Sequence, residues 1–220
     1  MTPIRTLLFL GLALAAGNAF AQQDISKVNG GIEAEAGQTY GELDTVNGGI
    51  RIGDRAVTGD ASTVNGGIKV GSGARTGSLE TVNGGVRLER DVTVDGGIET
   101  VNGEIFVDRN GKVKSGVETV NGSIGLVGAQ LGGGIETVMG DVTVGADSVV
   151  KGGLRVEKSR GLFNTGKKRT PRIVIGPNAV VEGPLVFERE VVLFVHRSAR
   201  TGAITGATAK AYEGANVPNE

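Results

Sequence analysis

The chain has 220 residues, including 39 Gly, 6 Phe, 2 Tyr and 1 His but neither Cys nor Trp, and its formal net charge is −1. The lack of Cys excludes disulfides, thiolate nucleophiles, thiolate zinc sites and iron–sulfur clusters. With a single histidine, His196, the sequence gives no reason to expect a metal or a cofactor. The glycines lie among Val and Ile without a collagen period, which favours regular β structure over a disordered linker.

Residues 1–21 predict an export signal. Arg5 gives a positive start, an apolar run follows from Leu7 to Ala16, and Ala19-Phe20-Ala21 is a small-x-small cleavage site. The mature chain would begin at Gln22. No later stretch approaches the roughly 20 apolar residues that a membrane-spanning helix needs. We therefore expect a soluble periplasmic or secreted protein without a transmembrane segment.

An internal repeat follows the signal and determines the fold prediction. The pentapeptide Val-Asn-Gly-Gly-Ile or a close variant begins at Val28, Val46, Val64, Val82, Val101, Val120 and, in degenerate form, Val138. These starts are separated by 18, 18, 18, 19, 19 and 18 residues. Asn-Gly is a strong turn signal, and Val and Ile favour strands. Since one unit cannot bury a core alone, the sequence predicts an all-β single-stranded β-helix, a β-solenoid with 18–19 residues per coil.

The apolar spacing bears on the handedness of this solenoid. A left-handed hexapeptide solenoid also has 18 residues per coil, but it needs an aliphatic residue at every sixth position. Here the apolar residues are spaced 4, 2, 5, 4 and 3 residues apart, at Val46, Ile50, Ile52, Val57, Ala61 and Val64, which breaks that rule. That spacing predicts a right-handed coil.

Two polar rows accompany the repeat. If the coils are in register, the Asn residues form an internal ladder of side-chain amides in left-handed turns, which is a structural role rather than a calcium or sugar site. The ladder residues are Asn29, Asn47, Asn65, Asn83, Asn102 and Asn121. The Thr before each Val, as at Thr45 and Thr63, is interpreted in the same way, as part of a strand surface.

The repeated units resemble a known family. Glu-Thr-Val-Asn-Gly-x-Ile, as at Glu99 to Ile105 and Glu118 to Ile124, is similar to the bacterial β-helical repeat family labelled as adhesins. The resemblance covers roughly residues 28–145. It implies a β-helical fold and no catalytic residues.

A basic insertion interrupts the repeat. Residues 22–150 carry 10 basic and 18 acidic side chains, whereas residues 151–172 carry 8 and 1. Gly161, Gly166 and Pro171 predict a projecting loop. This loop could be simply solvated, or it could dock onto an anionic envelope glycan, lipopolysaccharide or a second copy of the chain. Export and the scarcity of aromatic residues argue against nucleic acid. The candidate docking residues are Arg155, Lys158, Arg160, Lys167, Lys168 and Arg169.

Strand character returns after the insertion. The cadence Ile175-Gly-Pro-x-Ala-x-Val181-x-Gly resembles the hexapeptide-type coils of bactofilins, the polymer-forming bacterial scaffold proteins, over roughly residues 172–206. Typical bactofilins are cytoplasmic, whereas this chain carries an export signal. Aromatic residues concentrated near the C-terminus, such as Phe187, Phe194 and Tyr212, are expected to cap the core. The predicted division is repeat solenoid 22–150, basic loop 151–172, C-terminal coils and cap 173–211, and tail 212–220.

Catalysis has little support in this sequence. Glu80, Glu99, Glu118 and Glu136 occupy one repeat position, and repetition argues against a unique active site. Carboxylates on adjacent coils would lie about 5 Å apart, a separation that also occurs in retaining glycosidases. We therefore expect a non-catalytic, adhesin-like envelope module, with a bactofilin-like self-assembling scaffold as the alternative and a glycan-active enzyme as a third possibility.

Overall fold

The computed structural model describes residues 23–158, 169–214 and 217. They form a β-solenoid of about nine turns, with about 19 residues per coil, and no helix occurs within these ranges. The predicted all-β solenoid is therefore confirmed. The predicted signal peptide lies outside the described residues. The right-handed coil stays a prediction.

Three parallel sheets form the faces of the solenoid. Sheet A has ten strands, one from each coil. They are β1 Ile25–Asn29, β3 Leu43–Asn47, β5 Ala61–Asn65, β8 Leu79–Asn83, β11 Ile98–Asn102, β14 Val117–Asn121, β17 Ile135–Thr137, β20 Leu154–Val156, β23 Leu185–Phe187 and β26 Ile204–Thr205.

Sheet B also has ten strands and follows sheet A after the Asn-Gly corner. Its strands are β2 Ile32–Ala34, β4 Ile50–Ile52, β6 Ile68–Val70, β9 Val86–Leu88, β12 Ile105–Val107, β15 Ile124–Leu126, β18 Val142–Val144, β21 Arg172–Ile175, β24 Val192–His196 and β27 Ala209–Tyr212.

Sheet C has seven short strands, and isolated bridges at Thr39 and Val57 take their place in the first two coils. The strands are β7 Arg75–Thr76, β10 Thr93–Val94, β13 Lys112–Val113, β16 Gln130–Leu131, β19 Val149–Val150, β22 Val180–Val181 and β25 Arg200–Thr201. Equivalent repeat positions lie opposite one another in the sheets. In sheet A, for example, Asn47 pairs with both Asn29 and Asn65.

In sheet A, the strands alternate between core and solvent in a phase that places the Thr row inside, whereas the sequence analysis placed it on the strand surface. In β8, Leu79 and Thr81 are buried, whereas Val82 is 40% exposed. Val46 and Val64 are likewise about 40% exposed, so the apolar positions counted for the handedness include residues that face solvent. Strand alternation is counted from the buried first residue, so the third residue, Thr, faces inward and the fourth, Val, faces outward.

The inward Thr residues hydrogen bond to the neighbouring coil. The hydroxyl of Thr81 donates to the carbonyl of Gly66 at 2.8 Å. Thr63 donates to Gly48 at the same distance. The Thr row is thus an internal polar row, rather than the strand surface expected from the sequence, and its hydroxyls satisfy carbonyls at the Asn-Gly corner.

The first Gly of the Asn-Gly corner is required by close stacking of the coils. A Cβ at Gly66 would lie 2.1 Å from the carbonyl oxygen of Gly48, and one at Gly84 would lie 1.9 Å from that of Gly66. No side chain fits at those separations. The repeat keeps Gly here because the backbones of successive coils approach each other too closely for any other residue.

The left-handed turns lie at the next corner, between sheets B and C. The Asn ladder residues end extended strands and were wrongly placed in left-handed turns. Gly30 and Gly122 of the Asn-Gly corner have positive φ, but the recurrent positive φ occurs at one aligned position of successive coils, where Gly, Asp and Asn dominate because they tolerate this conformation best. The non-Gly residues with positive φ are Arg55, Asp91, Asn110, Asp147 and Asn178.

The insertion occupies the corner between sheets A and B, and it is shorter than predicted. Within the predicted loop, Leu154–Val156 is strand β20 of sheet A, paired in register with both neighbours. The insertion therefore runs from 157 to 171, between β20 and β21. It replaces the Asn-Gly corner in that coil without interrupting either sheet.

The C-terminal aromatic residues do not all serve the core. Phe187 faces inward and belongs to the main core. Phe194 and Tyr212 instead pack with Val174 in a second cluster on the outer face of sheet B. The Tyr212 hydroxyl donates to the carbonyl of Ile175 at 3.4 Å. These two rings therefore cover a sheet face, rather than the end of the core where a cap was expected.

Candidate functional site

Most of the predicted docking residues that the structure describes are paired with acidic residues. Arg155 lies on the outer face of sheet A and forms an ion pair with Glu188 at 2.9 Å. Arg169 pairs with Asp141, whereas Lys158 is exposed. Arg160, Lys167 and Lys168 lie outside the described residues. Two of the three described candidates thus have carboxylate partners, and the structure gives no open patch built from them.

Arg189 attaches the end of the insertion to the solenoid. Its guanidinium donates to the carbonyl of Val138 at 2.8 Å and to that of Arg169 at 3.0 Å. Asp141 also accepts the backbone N–H of Arg172 at 2.9 Å. These contacts fix the point at which the chain re-enters sheet B.

The Asn row forms a continuous chain of hydrogen bonds on the outside of the solenoid. Each side-chain amide donates to the Oδ1 of the Asn one coil before, as Asn65 does to Asn47 at 2.9 Å and Asn121 to Asn102 at 3.0 Å. The row lies on the exterior, not inside as predicted, since Asn47, Asn65 and Asn83 are exposed. Its donors and acceptors are used within the row, which is a structural role.

Acidic side chains form a second row on sheet A. Glu80, Glu99, Glu118 and Glu136 occupy one register position on four consecutive coils. Burial, followed by the negative charges of Glu136 and Glu99, raises the pKa of Glu118 above its ordinary value. A groove of about 310 Å³ runs beside this row. In the part of the chain that the structure describes, no three His, Asp or Glu side chains are arranged to hold a metal ion.

A larger groove follows the corner between sheets A and B and has a volume of about 650 Å³. We call it the glycine groove. Its floor includes the second Gly of four successive Asn-Gly-Gly corners, at Gly31, Gly49, Gly67 and Gly85. Successive coils are about 4.8 Å apart, so this floor extends for about 14 Å along the solenoid.

The second Gly leaves the groove open, and coil stacking demands it less strictly than the first Gly. A Cβ at Gly49 would lie 3.1 Å from the carbonyl oxygen of Gly67, which needs an adjustment of a few tenths of an ångström. Later coils carry Glu104, Ser123 and Asp141 at this position. The backbone therefore tolerates side chains here, and their absence from four coils leaves the floor uncovered.

Cationic side chains line this groove on one side. Arg51, Lys69 and Arg87 pair in register on β4, β6 and β9 and all face solvent. At one end the guanidinium of Arg87 lies 4.7 Å from the ring centre of Phe106. Glu104 and Phe106 line the groove in the coil where the floor glycines stop.

Sequence reasoning missed this groove, although its signal is visible in the sequence. Gly-Gly followed by an aliphatic residue and a cation occurs at Gly48–Arg51, Gly66–Lys69 and Gly84–Arg87. The sequence alone does not distinguish the first Gly of each pair from the second. Only the stacked backbone shows that the first is needed for close approach and the second leaves a surface open.

Comparisons with family models, curated proteins and solved structures found no match to this chain. Across the described residues, no helix has the length and apolar character needed to cross a bilayer. The strand topology defines the chain as a β-solenoid repeat protein, a class compatible with a structural or binding role.

Proposed function

We propose that this chain is an exported, non-catalytic module of the bacterial cell envelope that binds an extended partner along its solenoid, in the manner of an adhesin. The observation that carries this proposal is the glycine groove. It runs along the solenoid axis across coils that repeat the same surface, so a linear partner would meet equivalent groups at a constant spacing.

Export and adhesin character are supported by residues 1–21 and by the Glu-Thr-Val-Asn-Gly-x-Ile units. The basic insertion connects β20 of sheet A to β21 of sheet B, the two strands that flank this corner in a coil further along the solenoid. Its residues Arg160, Lys167 and Lys168 would add a second contact to a partner long enough to reach them. The periplasm or the cell surface would be the place of action.

Filling the groove tests this proposal. The double variant Gly49→Ser/Gly67→Ser places in two floor positions the residue that Ser123 already provides at the equivalent position. Binding to a panel of linear neutral and acidic polysaccharides would be measured by isothermal titration calorimetry with the mature chain. We expect the wild type to bind at least one polymer and the variant to lose that binding.

Gly97→Ser is the matched control, because a Cβ at Gly97 would also lie 3.2 Å from a neighbouring backbone carbonyl, that of Gly116. Gly97 lies outside the glycine groove. The Gly97→Ser variant should bind the same polymer as tightly as the wild type. Equal binding by the filled variant and the control, both with wild-type melting temperatures, would refute a role for the groove.

A self-assembling scaffold is the alternative, in the manner of bactofilins. The observation that favours it is that β1 and β26 end sheet A, whereas β2 and β27 end sheet B, so further parallel strands could pair at either end. Negative-stain microscopy with sedimentation across a concentration series tests this idea. Uniform fibres longer than one chain would support the scaffold, whereas monodisperse rods would leave the binding module.

A further inference from the structure

We infer that the glycine groove binds a linear polyanion, specifically a polysaccharide of acidic sugar residues lying along the solenoid axis. This inference rests on the proposed function and names its ligand class. Three lines of observation support it: the uncompensated cations of the groove, their coincidence with the open floor, and the chemistry of the closed end.

The cations of the groove lack carboxylate partners. Across the described residues, no Asp or Glu oxygen lies within 4.0 Å of the charged nitrogens of Arg51, Lys69 or Arg87. Their register sets them side by side on adjacent coils, about 4.8 Å apart at the backbone. Arg51 lies opposite Glu33 of β2 on its other side, without forming an ion pair, whereas Lys69 has a cation on both neighbouring strands, an arrangement that destabilises a sheet.

Beside sheet C, by contrast, cationic side chains form ion pairs with a carboxylate. Asp95 lies between Arg75 and Lys114 there, at 2.7 Å and 2.5 Å. Residues 22–150 also carry 18 acidic side chains against 10 basic ones. In so acidic a segment, a row of three cations without carboxylate partners on consecutive coils marks a place where negative charge is supplied from outside.

The cations coincide with the open floor coil by coil. Gly49 and Arg51, Gly67 and Lys69, and Gly85 and Arg87 belong to the same three coils. The backbone N–H groups of these three glycines form no hydrogen bond within the described ranges. Each coil thus offers one cation and one unused donor to an anionic group of the ligand.

The groove ends at the coil that carries Glu104 and Phe106. The side chains at this end favour a sugar chain over a polyanion without rings. In the next coil, Glu104 replaces the floor Gly and Phe106 replaces the cation. The carboxylate of Glu104 repels an anionic chain that continues beyond this point. The half-buried ring of Phe106 offers an apolar surface to a sugar ring, which a chain of phosphates would not use.

Charge removal tests the inference. The probes are polygalacturonate, a linear acidic polysaccharide, a neutral linear glucan of matched length, and inorganic polyphosphate. The test variant is Arg51→Gln/Lys69→Gln/Arg87→Gln. The control variant Arg90→Gln/Arg109→Gln/Lys112→Gln removes the same charge from exposed positions away from the groove.

We expect the wild type and the control to bind polygalacturonate with an affinity that falls as salt rises. The test variant should lose about tenfold or more in affinity, as three exposed ion pairs would contribute, and most of its salt dependence. Polyphosphate should bind more weakly than polygalacturonate. Melting temperatures would show that both variants are folded.

Several results would overturn the inference. They are no binding of polygalacturonate by the wild type, equal losses in the test and control variants, or polyphosphate binding as tightly as polygalacturonate. If the neutral glucan binds, and loses its binding in Gly49→Ser/Gly67→Ser but not in the charge variant, the acidic ligand is refuted. That result would leave the groove-binding function standing, so the two proposals can fail separately.

Discussion

Thr81 and Val82 are neighbours in β8, yet the Thr81 hydroxyl is inside the solenoid, donating to Gly66, whereas the Val82 side chain is 40% exposed. The equivalent Val side chains on four other coils, Val28, Val46, Val64 and Val101, are also at least 40% exposed. The polar residue of the pair therefore supports the fold from within. The apolar residue contributes a stripe to the outer face of sheet A.

Replacing Thr81 by Val and, separately, Val82 by Thr tests this arrangement. Thr81→Val should destabilise the protein by about 1 kcal/mol, because the carbonyl of Gly66 loses a buried donor. Val82→Thr, the matched control, should change the free energy of unfolding by less than about 0.5 kcal/mol, as surface substitutions usually do. Urea unfolding of both variants measures the difference. A larger loss in Val82→Thr would contradict the observed orientation.

The two glycines of one corner should respond differently to alanine. Gly66→Ala brings a Cβ to 2.1 Å from the Gly48 carbonyl oxygen and should cost about 3 kcal/mol, since stacked backbone must move apart. Gly67→Ala brings a Cβ to 3.0 Å from the Gly85 carbonyl oxygen and should cost about 1 kcal/mol or less. Thermal and urea unfolding measure the loss of stability in both variants. Equal costs would show that stacking does not distinguish the two positions.

The Asn ladder should be most sensitive in its middle. Asn83 donates to Asn65 at 3.0 Å and accepts from Asn102 at 3.1 Å. Asn83→Ala removes both bonds and should cost about 1 kcal/mol, given that the row is exposed. Asn121 is the matched control, because it donates to Asn102 and the next coil carries Met139, so its replacement by Ala removes one ladder bond. Unfolding free energies that rank Asn121→Ala as the more costly variant would contradict the ladder's contribution.

The acidic row predicts a pH dependence of stability. Burial and the nearby charges of Glu136 and Glu99 raise the pKa of Glu118 in the folded chain above its ordinary value of 4.5. The folded state therefore binds this proton more tightly than the unfolded state. Stability falls as the pH rises through the interval from 4.5 to the raised pKa, and the lost stability is not regained above it.

Glu118→Gln removes the charge that causes this loss. We expect the variant to melt at a higher temperature than the wild type at pH 7, with the difference shrinking towards pH 4. Glu89→Gln, at a corner away from the row, is the control and should follow the wild type. Scanning calorimetry across this pH range measures the effect. A variant less stable than the wild type at pH 7 would show that the row does not repel.

The period of the coil could be predicted because Val-Asn-Gly recurs every 18–19 residues, and that spacing alone requires in-register stacking. The phase of the strands in sheet A could not be predicted. Thr81 and Val82 have similar shapes and strand propensities, and only the buried Leu79 two residues earlier decides which of them faces inward. The glycine groove was missed for a related reason, because Gly66 and Gly67 differ only in what the next coil places beside them.

The insertion separates two kinds of change that this architecture allows. Leu154 pairs with Leu185, 31 positions along the chain, although its coil contacts neighbours of ordinary length on both sides. Extra chain at a corner therefore leaves the core untouched, whereas adding a coil lengthens every face at once. Natural selection can alter the reach of the rod by duplicating coils and its attachments by lengthening corners, with neither change constraining the other.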